Sequence, residues 1–358
     1  MGKYKHFIIV TVLIALTTVA LKYLVFGPMF KLPVQASAQG GPIDTMFDAH
    51  FWMISFLFAL IMVIMIYAVV VFRRKPGDET DGPHVHGHTG LEITWTIVPT
   101  IAVVAFGIWG GTTLKQLLAD DPNAMTIQVT AQQWAWSFQY PEFDNINSAE
   151  LVLQKDQPIL LAIESKDVLH SFWVPEFRVK QDAVPGRTTY LRITPTLAGE
   201  YKVRCAEICG FNHANMLAPV RVLEQADFTA WANERMQAPK YGEMTPEERG
   251  ALWYSNEGLG CAGCHTVDGT GTTAPSWLGV YGRTEQLTDG TTITVDDAYI
   301  RNSILDPQSQ IVAGFEAVQM TATFGDQISA KEAEIASTEG VQIDIINDII
   351  AYMKTLQE

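Results

Sequence analysis

Two uncharged stretches near the N-terminus, residues 51–72 and 93–114, constrain this chain more than any other feature. A helix needs about 20 apolar residues to cross the ~30 Å hydrocarbon core of a bilayer, and each stretch supplies them. One such helix can be buried in a soluble core. Two in succession predict a membrane hairpin. Arg73-Arg74-Lys75 directly follows the first stretch, so the preference of Lys and Arg for cytoplasmic loops places 73–92 inside and everything after Leu114 outside. An earlier apolar segment, Phe7 to Phe26, is broken by Lys22 and preceded by Lys3, Lys5 and His6. It reads either as a cleaved signal peptide or as a third spanning helix, and both agree with that orientation. Ala36-Ser37-Ala38 looks like a cleavage site but lies far beyond the apolar run. No cysteine follows the segment to carry a lipid anchor.

At 358 residues the chain is too long for one ordinary domain, and beyond residue 120 it reads as soluble. Residues 125–224 are rich in Val, Ile, Thr and aromatics, in short runs such as Met125-Thr-Ile-Gln-Val-Thr, Ile159-Leu-Leu-Ala-Ile, Thr189-Tyr-Leu-Arg-Ile and Val220-Arg-Val-Leu. Turn signals separate them, which predicts an all-β sandwich or barrel. Trp134, Trp136 and Phe138 recur at period two, on one side of a strand, the usual pattern of core residues, and Trp136 and Phe138 are read as core. The strand pattern stops at Met236–Met244, a hinge. Thr245-Pro246-Glu247-Glu248 is then a capping box with proline at the first helical position. The helix it starts is expected to run into Gly260. A closing amphipathic helix carries Ile345, Ile349, Tyr352, Met353 and Leu356 on one face.

Chemistry concentrates in Cys205-Ala-Glu-Ile-Cys209-Gly-Phe-Asn-His213-Ala-Asn-Met216, which packs two thiols, an imidazole, a thioether and a carboxylate into one loop. Thiolate and thioether sulfur select copper(I), zinc or iron–sulfur, and imidazole serves copper and zinc. Met216 is a poor zinc ligand, and two cysteines four apart on a tight loop can bridge two metal ions, which favours copper. His170 is the remaining histidine in this part of the chain. The alternative is a Cys205–Cys209 disulfide beside a structural histidine, which would not require His213 and Met216 at this spacing. Further on, Cys261-Ala-Gly-Cys264-His265 reads as covalent haem c attachment, the thiols adding to the vinyl groups and the histidine taking an axial iron position. Alone, the pentapeptide also fits a redox dithiol; the outside location and the flanking helices favour haem. These two sites use all four cysteines. Two further features read plainly: His84, His86 and His88 form a solvated polar loop, and Glu92 marks a helix start, where a carboxylate complements the helix dipole.

His170 together with the Cys205–Met216 loop resembles the binuclear copper-A site of cytochrome c oxidase subunit II. The resemblance implies a cupredoxin sandwich with His170, Cys205, the Glu207 carbonyl, Cys209, His213 and Met216 as copper ligands. It also implies that the Glu207 side chain meets a magnesium shared with subunit I. By the motif Gln-Trp-x-Trp, Trp134 becomes the surface tryptophan through which an electron enters copper A. By Glu-x-x-Trp-Thr-x-x-Pro, Glu92 lies at the mouth of a proton channel, and Arg178–Arg187 borders subunit I. The C-terminal part resembles an all-α class I cytochrome c, with Cys261 and Cys264 as haem thioethers and His265 as axial ligand. Met320, the only methionine between the Pro275 loop and the last helix, becomes the sixth ligand, although it stands before Thr where that family usually has Pro. The Pro275 carbonyl would orient the His265 ring.

The whole resembles subunit II of a caa-type haem-copper oxidase. The implied layout is a signal peptide or extra helix over 1–40, a transmembrane hairpin over 41–120, a copper-A domain over 121–235, a linker over 236–244 and a cytochrome c domain over 245–358. The implied role is electron entry into a proton-pumping oxygen reductase of the bacterial plasma membrane, with both soluble domains on the outer side. The implied partners are oxidase subunits I and III and a soluble electron donor or quinol-oxidising complex; nucleic acid is not among them. The oxygen site would lie in a partner subunit. A net charge of −15, from 24 basic and 39 acidic residues, suits a basic donor. It suits a merely solvated acidic surface equally well. Two rivals remain: a copper-A subunit of a nitric oxide reductase, and a stand-alone membrane-tethered carrier. Nitrous oxide reductase is disfavoured by the hairpin and by a total of only eight histidines.

Overall fold

The computed structural model describes residues 2–82, 84, 86–271, 273–316, 320 and 324–357. It divides into two units, Met1–Asp120 with Glu176–Arg178, and Asp121–Pro175 with Val179–Glu358.

The first unit is helical: α1 (Gly2–Ala20), a π-helical turn at Leu21–Phe26, α2 (Gly27–Met29), α3 (Gly40–Val71) and α4 (Thr89–Leu117). Three helical segments, Tyr4–Met29, Gly40–Val71 and Thr89–Leu117, are long and apolar enough to cross a membrane. The N-terminal segment packs along α3 in the opposite sense. His6 Nδ1 lies 2.7 Å from the Tyr67 hydroxyl near one end, and Lys22 pairs with Asp48 near the other. At the start of α4, His88 accepts from the Leu91 amide through Nδ1, while the Glu92 carboxylate accepts from the His88 amide at 3.1 Å. Glu92 thus caps its helix, satisfying amides that a helix start leaves orphaned.

The second unit opens with ten strands: β1 (Met125–Gln132), β2 (Ala135–Tyr140), β3 (Ile146–Ser148), β4 (Leu151–Gln154), β5 (Ile159–Ser165), β6 (His170–Trp173), β7 (Lys180–Ala183), β8 (Thr189–Ile193), β9 (Gly199–Cys205) and β10 (Leu217–Leu223). They form two five-stranded sheets, ordered β3-β2-β1-β5-β8 and β4-β10-β9-β6-β7, a cupredoxin-like sandwich. Alternation builds its core. Met125, Ile127, Val129 and Ala131 of β1 point inward with Ile159, Leu161 and Ile163 of β5 and with Trp136 and Phe138 of β2. Each sheet contains one parallel pair, β1 with β5 and β4 with β10.

Beyond the sandwich, α5 (Gln225–Met236) stacks Phe228 and Trp231 near Phe143 and Tyr140 of the sandwich. The expected hinge is not free. Tyr241 within it stacks on Trp253 at 5.0 Å between ring centroids. Next comes α6 (Pro246–Tyr254), with the Thr245–Glu248 capping box formed as anticipated. Instead of running to Gly260, the helix stops at Tyr254, and Ser255 closes its last turn. The remaining elements are β11 (Thr284–Gln286), β12 (Thr292–Thr294), α7 (Asp297–Leu305), α8 (Phe324–Glu339) and α9 (Ile345–Thr355). The region is therefore not all helical: β11 and β12 pair as a hairpin across Asp289-Gly290. First and last helices cross closely, since a Cβ on Gly250 would lie 2.1 Å from the Asp348 carbonyl oxygen. Asp348 is buried there. It accepts two bonds from Arg249 at 2.8 Å and one from Trp253 Nε1 at 3.2 Å. Ile345, Ile346, Ile349, Ile350 and Met353 of α9 complete this core.

Candidate metal centre

Three neighbouring strands bring the predicted copper ligands together. His170 opens β6, Cys205 closes β9, and Met216 immediately precedes β10, so the loop 206–216 spans the end of one hairpin. Main-chain bonds fix that end: the Cys205 amide donates to the Met216 carbonyl at 3.2 Å, and the Ala206 amide to the Ser171 carbonyl at 2.9 Å. The donor atoms converge. Cys205 Sγ lies 3.7 Å from Cys209 Sγ and 3.8 Å from His170 Nδ1. Cys209 Sγ lies 3.5 Å from His213 Nδ1 and 3.7 Å from Met216 Sδ. The Glu207 carbonyl oxygen stands 3.2 Å from Cys205 Sγ. Ligand atoms of His170, Cys205 and Cys209 all lie within 4.8 Å of one another, and all three residues are buried. Two central sulfurs flanked by an imidazole on each side, a thioether and a carbonyl make a donor set that fits copper.

Electrostatics favour a thiolate here. Hydrogen bonding from Cys209 outweighs burial and, with His170 and nearby amides, pulls the Cys205 thiol down to about 3. Cys209 moves the other way, raised chiefly by the same partner, so the pair holds one proton between two sulfurs. A cation replaces that proton naturally. One residue absent from the sequence expectations sits behind His170. Burial works against charge on Asp167, yet its bonds to His170 and to the Gln133 and Val168 amides hold its carboxyl below the ordinary range. Its Oδ1 lies 2.8 Å from His170 Nε2, which leaves Nδ1 facing Cys205. A carboxylate behind a ligating imidazole fixes its orientation and tautomer. The only signal for it was an aspartate three residues before the histidine.

Trp134 departs from expectation. It is 8% exposed, not on the surface, and its Nε1 donates to the Cys209 carbonyl at 3.2 Å. The main chain near Gly263 closes over it, where an added Cβ would sit 3.4 Å from the Trp134 carbonyl oxygen. Trp136 and Phe138 are core, 1% and 0% exposed.

The second predicted residue set lines one cavity in the C-terminal region. Cys261, Cys264, His265, Pro275 and Met320 all face it, among apolar walls that include Val280, Ile300 and Ile349. His265 Nδ1 lies 2.8 Å from the Pro275 carbonyl, the arrangement expected, and Cys261–Gly263 forms a single 3₁₀ turn that presents both thiols. Burial pushes the Cys261 thiol up to about 12 and that of Cys264 to about 11, and lowers the pKa of His265. These groups are neutral, in an apolar cavity.

Comparison with known proteins identifies the chain's relatives. The model of the cytochrome c oxidase subunit II transmembrane domain matches residues 25–110, and that of the periplasmic domain of the same subunit matches residues 147–223. Cytochrome c oxidase subunit 2 of Alkalihalophilus pseudofirmus is 31% identical over 274 residues, covering 72% of this chain and 79% of the relative. The corresponding subunit of Synechocystis sp. is 30% identical over 255 residues, covering 58% of this chain and 76% of the relative. The solved periplasmic domain of subunit II of cytochrome oxidase from Bradyrhizobium japonicum is 29% identical, spanning 32% of this chain and 95% of that domain, with a TM-score of 0.31. With membrane helices, sandwich and sulfur-imidazole cluster in agreement with these matches, the chain belongs to the cytochrome c oxidase subunit II family.

Proposed function

We propose that this chain is the electron-entry subunit of a proton-pumping haem–copper oxygen reductase of caa type. It would accept electrons from an external donor on a covalent haem c and pass them through copper A to the haem of subunit I. The observation that carries the reading is the pair of sulfurs at 3.7 Å with His170 and His213 nitrogens at 3.8 and 3.5 Å on either side. Copper bound there supplies a one-electron carrier; haem c, joined to Cys261 and Cys264, supplies another.

The chain's own residues do the rest. Strands β6, β9 and β10 hold the copper donors on a rigid sandwich, so little rearrangement accompanies a change of oxidation state. Asp167 orients His170, and the Pro275 carbonyl orients His265 with Nε2 free for iron. Met320, in the lining of the same cavity, would supply the sixth ligand, and a Met–His pair would raise the potential. The apolar walls exclude water from the macrocycle. Glu207 offers its carboxylate to a magnesium shared with subunit I, and Glu92 stands at a proton entrance of the complex. Tyr4–Met29 has partners along α3 that suit a retained third helix, and positive-inside orientation puts both soluble parts outside the plasma membrane. Subunits I and III complete the enzyme.

Reduced and oxidised spectra of the purified protein, from the visible to the near infrared, test this. A haem c α-band with a mixed-valence copper absorption that disappears in Cys209→Ser is expected. A protein that loads haem but never copper would remove the copper-A assignment.

A further inference from the structure

The segment that carries Cys261, Cys264 and His265 is gripped by the sandwich at two main-chain carbonyls. Gln132, the last residue of β1, donates through Nε2 to the Leu259 carbonyl at 2.7 Å. Asn212, next to the ligand His213 in the copper loop, donates through Nδ2 to the Gly263 carbonyl at 3.0 Å. These carbonyls lie two residues before Cys261 and immediately before Cys264, so the two bonds bracket the attachment turn. The approach is close. Gly260 has φ +74°, and a Cβ there would lie 2.7 Å from Gln132 Nε2 and 3.3 Å from Ala135 Cβ. A side chain at Gly260 would force the clasp open. Arg235 adds an outer tie to Glu257 at 2.6 Å.

Between the two bonds lies Trp134. Gln133 and Trp134 form part of the wall of the cavity that holds His265. The same two side chains donate to the Cys209 carbonyl, at 2.7 and 3.2 Å. One dipeptide, with Trp134 buried and Gln133 half-buried, thus connects the copper loop to the cavity wall. At 8% exposed, Trp134 offers an arriving partner protein almost no surface.

We propose that Gln132 and Asn212 are positioning residues that clasp the 259–265 segment to the copper loop, setting the geometry of internal electron transfer and closing the Trp134 face to any external donor. This rests on the functional reading above. The transfer at stake moves one electron from ferrous haem to a mixed-valence copper pair, leaving ferric haem and two copper(I) ions; no bond or proton is involved. Donation by the amides is essential to the clasp, since carbonyl acceptors cannot bond to a carboxylate.

The test uses the intact purified oxidase carrying Gln132→Ala/Asn212→Ala or, as a variant that preserves size and removes the donor, Gln132→Glu. Three quantities are read: the haem and copper absorption bands with both potentials, the internal transfer rate after photoreduction of the haem, and hydrogen exchange over 257–266 with oxidation of Trp134 by N-bromosuccinimide. The expected result is unchanged bands and potentials, a transfer rate down about tenfold, because the rate falls steeply as the two centres lose their fixed placement, and faster exchange and Trp134 oxidation. An unchanged rate in the double variant overturns the proposal, whether or not exchange rises. Wild-type protein lacking either absorption band overturns the functional reading instead, and the clasp's role with it.

Discussion

The chain holds two cysteine pairs at nearly equal spacing, and their surroundings give them opposite chemistry. Cys205 and Cys209 are 9% and 3% exposed, yet imidazoles, amides and each other's sulfur surround them, and Cys205 is drawn down to about 3. Cys261 and Cys264 face an apolar cavity, and burial drives them up to about 12 and about 11. The first pair is prepared to hold cations. The second is kept neutral beside an apolar space that a planar macrocycle would fill. Thiol reactivity follows the environment, not the residue type. The contrast extends to folding. In the sandwich the donors already bond to one another at the end of a formed hairpin, and the fold is expected to form without metal. In the C-terminal region the cavity reaches into the core between α7, α8 and α9, and the fold is expected to depend on what fills it.

That asymmetry is easiest to break at Cys261→Ala/Cys264→Ala. Without covalent attachment the C-terminal core is expected to surround an unfilled cavity, and cavities cost about 24 cal/mol per Å³. Hydrogen exchange in α6 and α9 should accelerate by about 100-fold or more, corresponding to a few kcal/mol, while β1 and β5 keep their protection. Equal protection in variant and wild type would show that the region folds without its cofactor.

Next in size is Asp348→Ala. The substitution leaves Arg249, whose side chain is 13% exposed, with only the Tyr241 and Met244 carbonyls and no paired counter-charge, and removes the acceptor of Trp253 Nε1. Breaking such a pair from one side costs about 3–5 kcal/mol. Denaturant titration should show that loss in the C-terminal transition alone; a change below about 1 kcal/mol would mean that the α6–α9 crossing carries the packing without its ion pair.

Cys209→Ser reverses the comparison. Copper absorption is expected to vanish entirely, while the sandwich transition moves by about 1 kcal/mol or less, because one buried sulfur–hydrogen contact is exchanged for a hydroxyl that keeps His213 in reach. A collapse of the sandwich would show that its ligand loop needs metal to form.

How much of this was legible in the chain follows the same division. The copper donors were readable because five of the six lie within Cys205–Met216, where spacing alone constrains geometry, and His170 stood out as the only other histidine nearby. Strands β1, β5, β8 and β10 were readable from their alternation. Asp167 was not, since its role depends on β6 beginning at His170 and folding the preceding turn beneath it. The burial of Trp134 agrees with its period-two pattern and runs against the surface position implied for it, because main chain about 130 residues away covers it. The hairpin of β11 and β12 did carry a signal, Asp289-Gly290 between Thr-rich runs, the preferred tight-turn dipeptide. Helix α6 ends before the predicted point because Ser255 closes it, and capping marks a start far more plainly than an end.

The finest test of the contrast is Asp167→Asn, which leaves every donor atom in place and alters only the charge behind His170. Asp167 has its folded pKa below the ordinary carboxylate value, so its stabilising contribution is fully present above the unfolded pKa and is lost as pH falls through the folded one. His170 is raised by Asp167 and Cys205 in spite of its burial, so its contribution is present below its unfolded value and is lost as pH rises through the folded one. Copper-free wild-type protein should therefore lose sandwich stability on the acid side below about pH 4 and again above about pH 6.5. Asparagine removes the first dependence and weakens the second, with an effect of about 1 kcal/mol at intermediate pH, the difference between a hydrogen bond to a charged acceptor and one to a neutral acceptor. Urea unfolding across pH 3–8 measures both limbs. An unaltered profile would mean that Asp167 does no more than fill space behind the ring. A flattened acid limb with the copper band still present would show that the sandwich is poised by its own charges before the metal arrives. The cavity beside Cys261 has Glu285 in its lining, paired with Arg283 and not with a histidine, and should show no comparable carboxylate–imidazole limb.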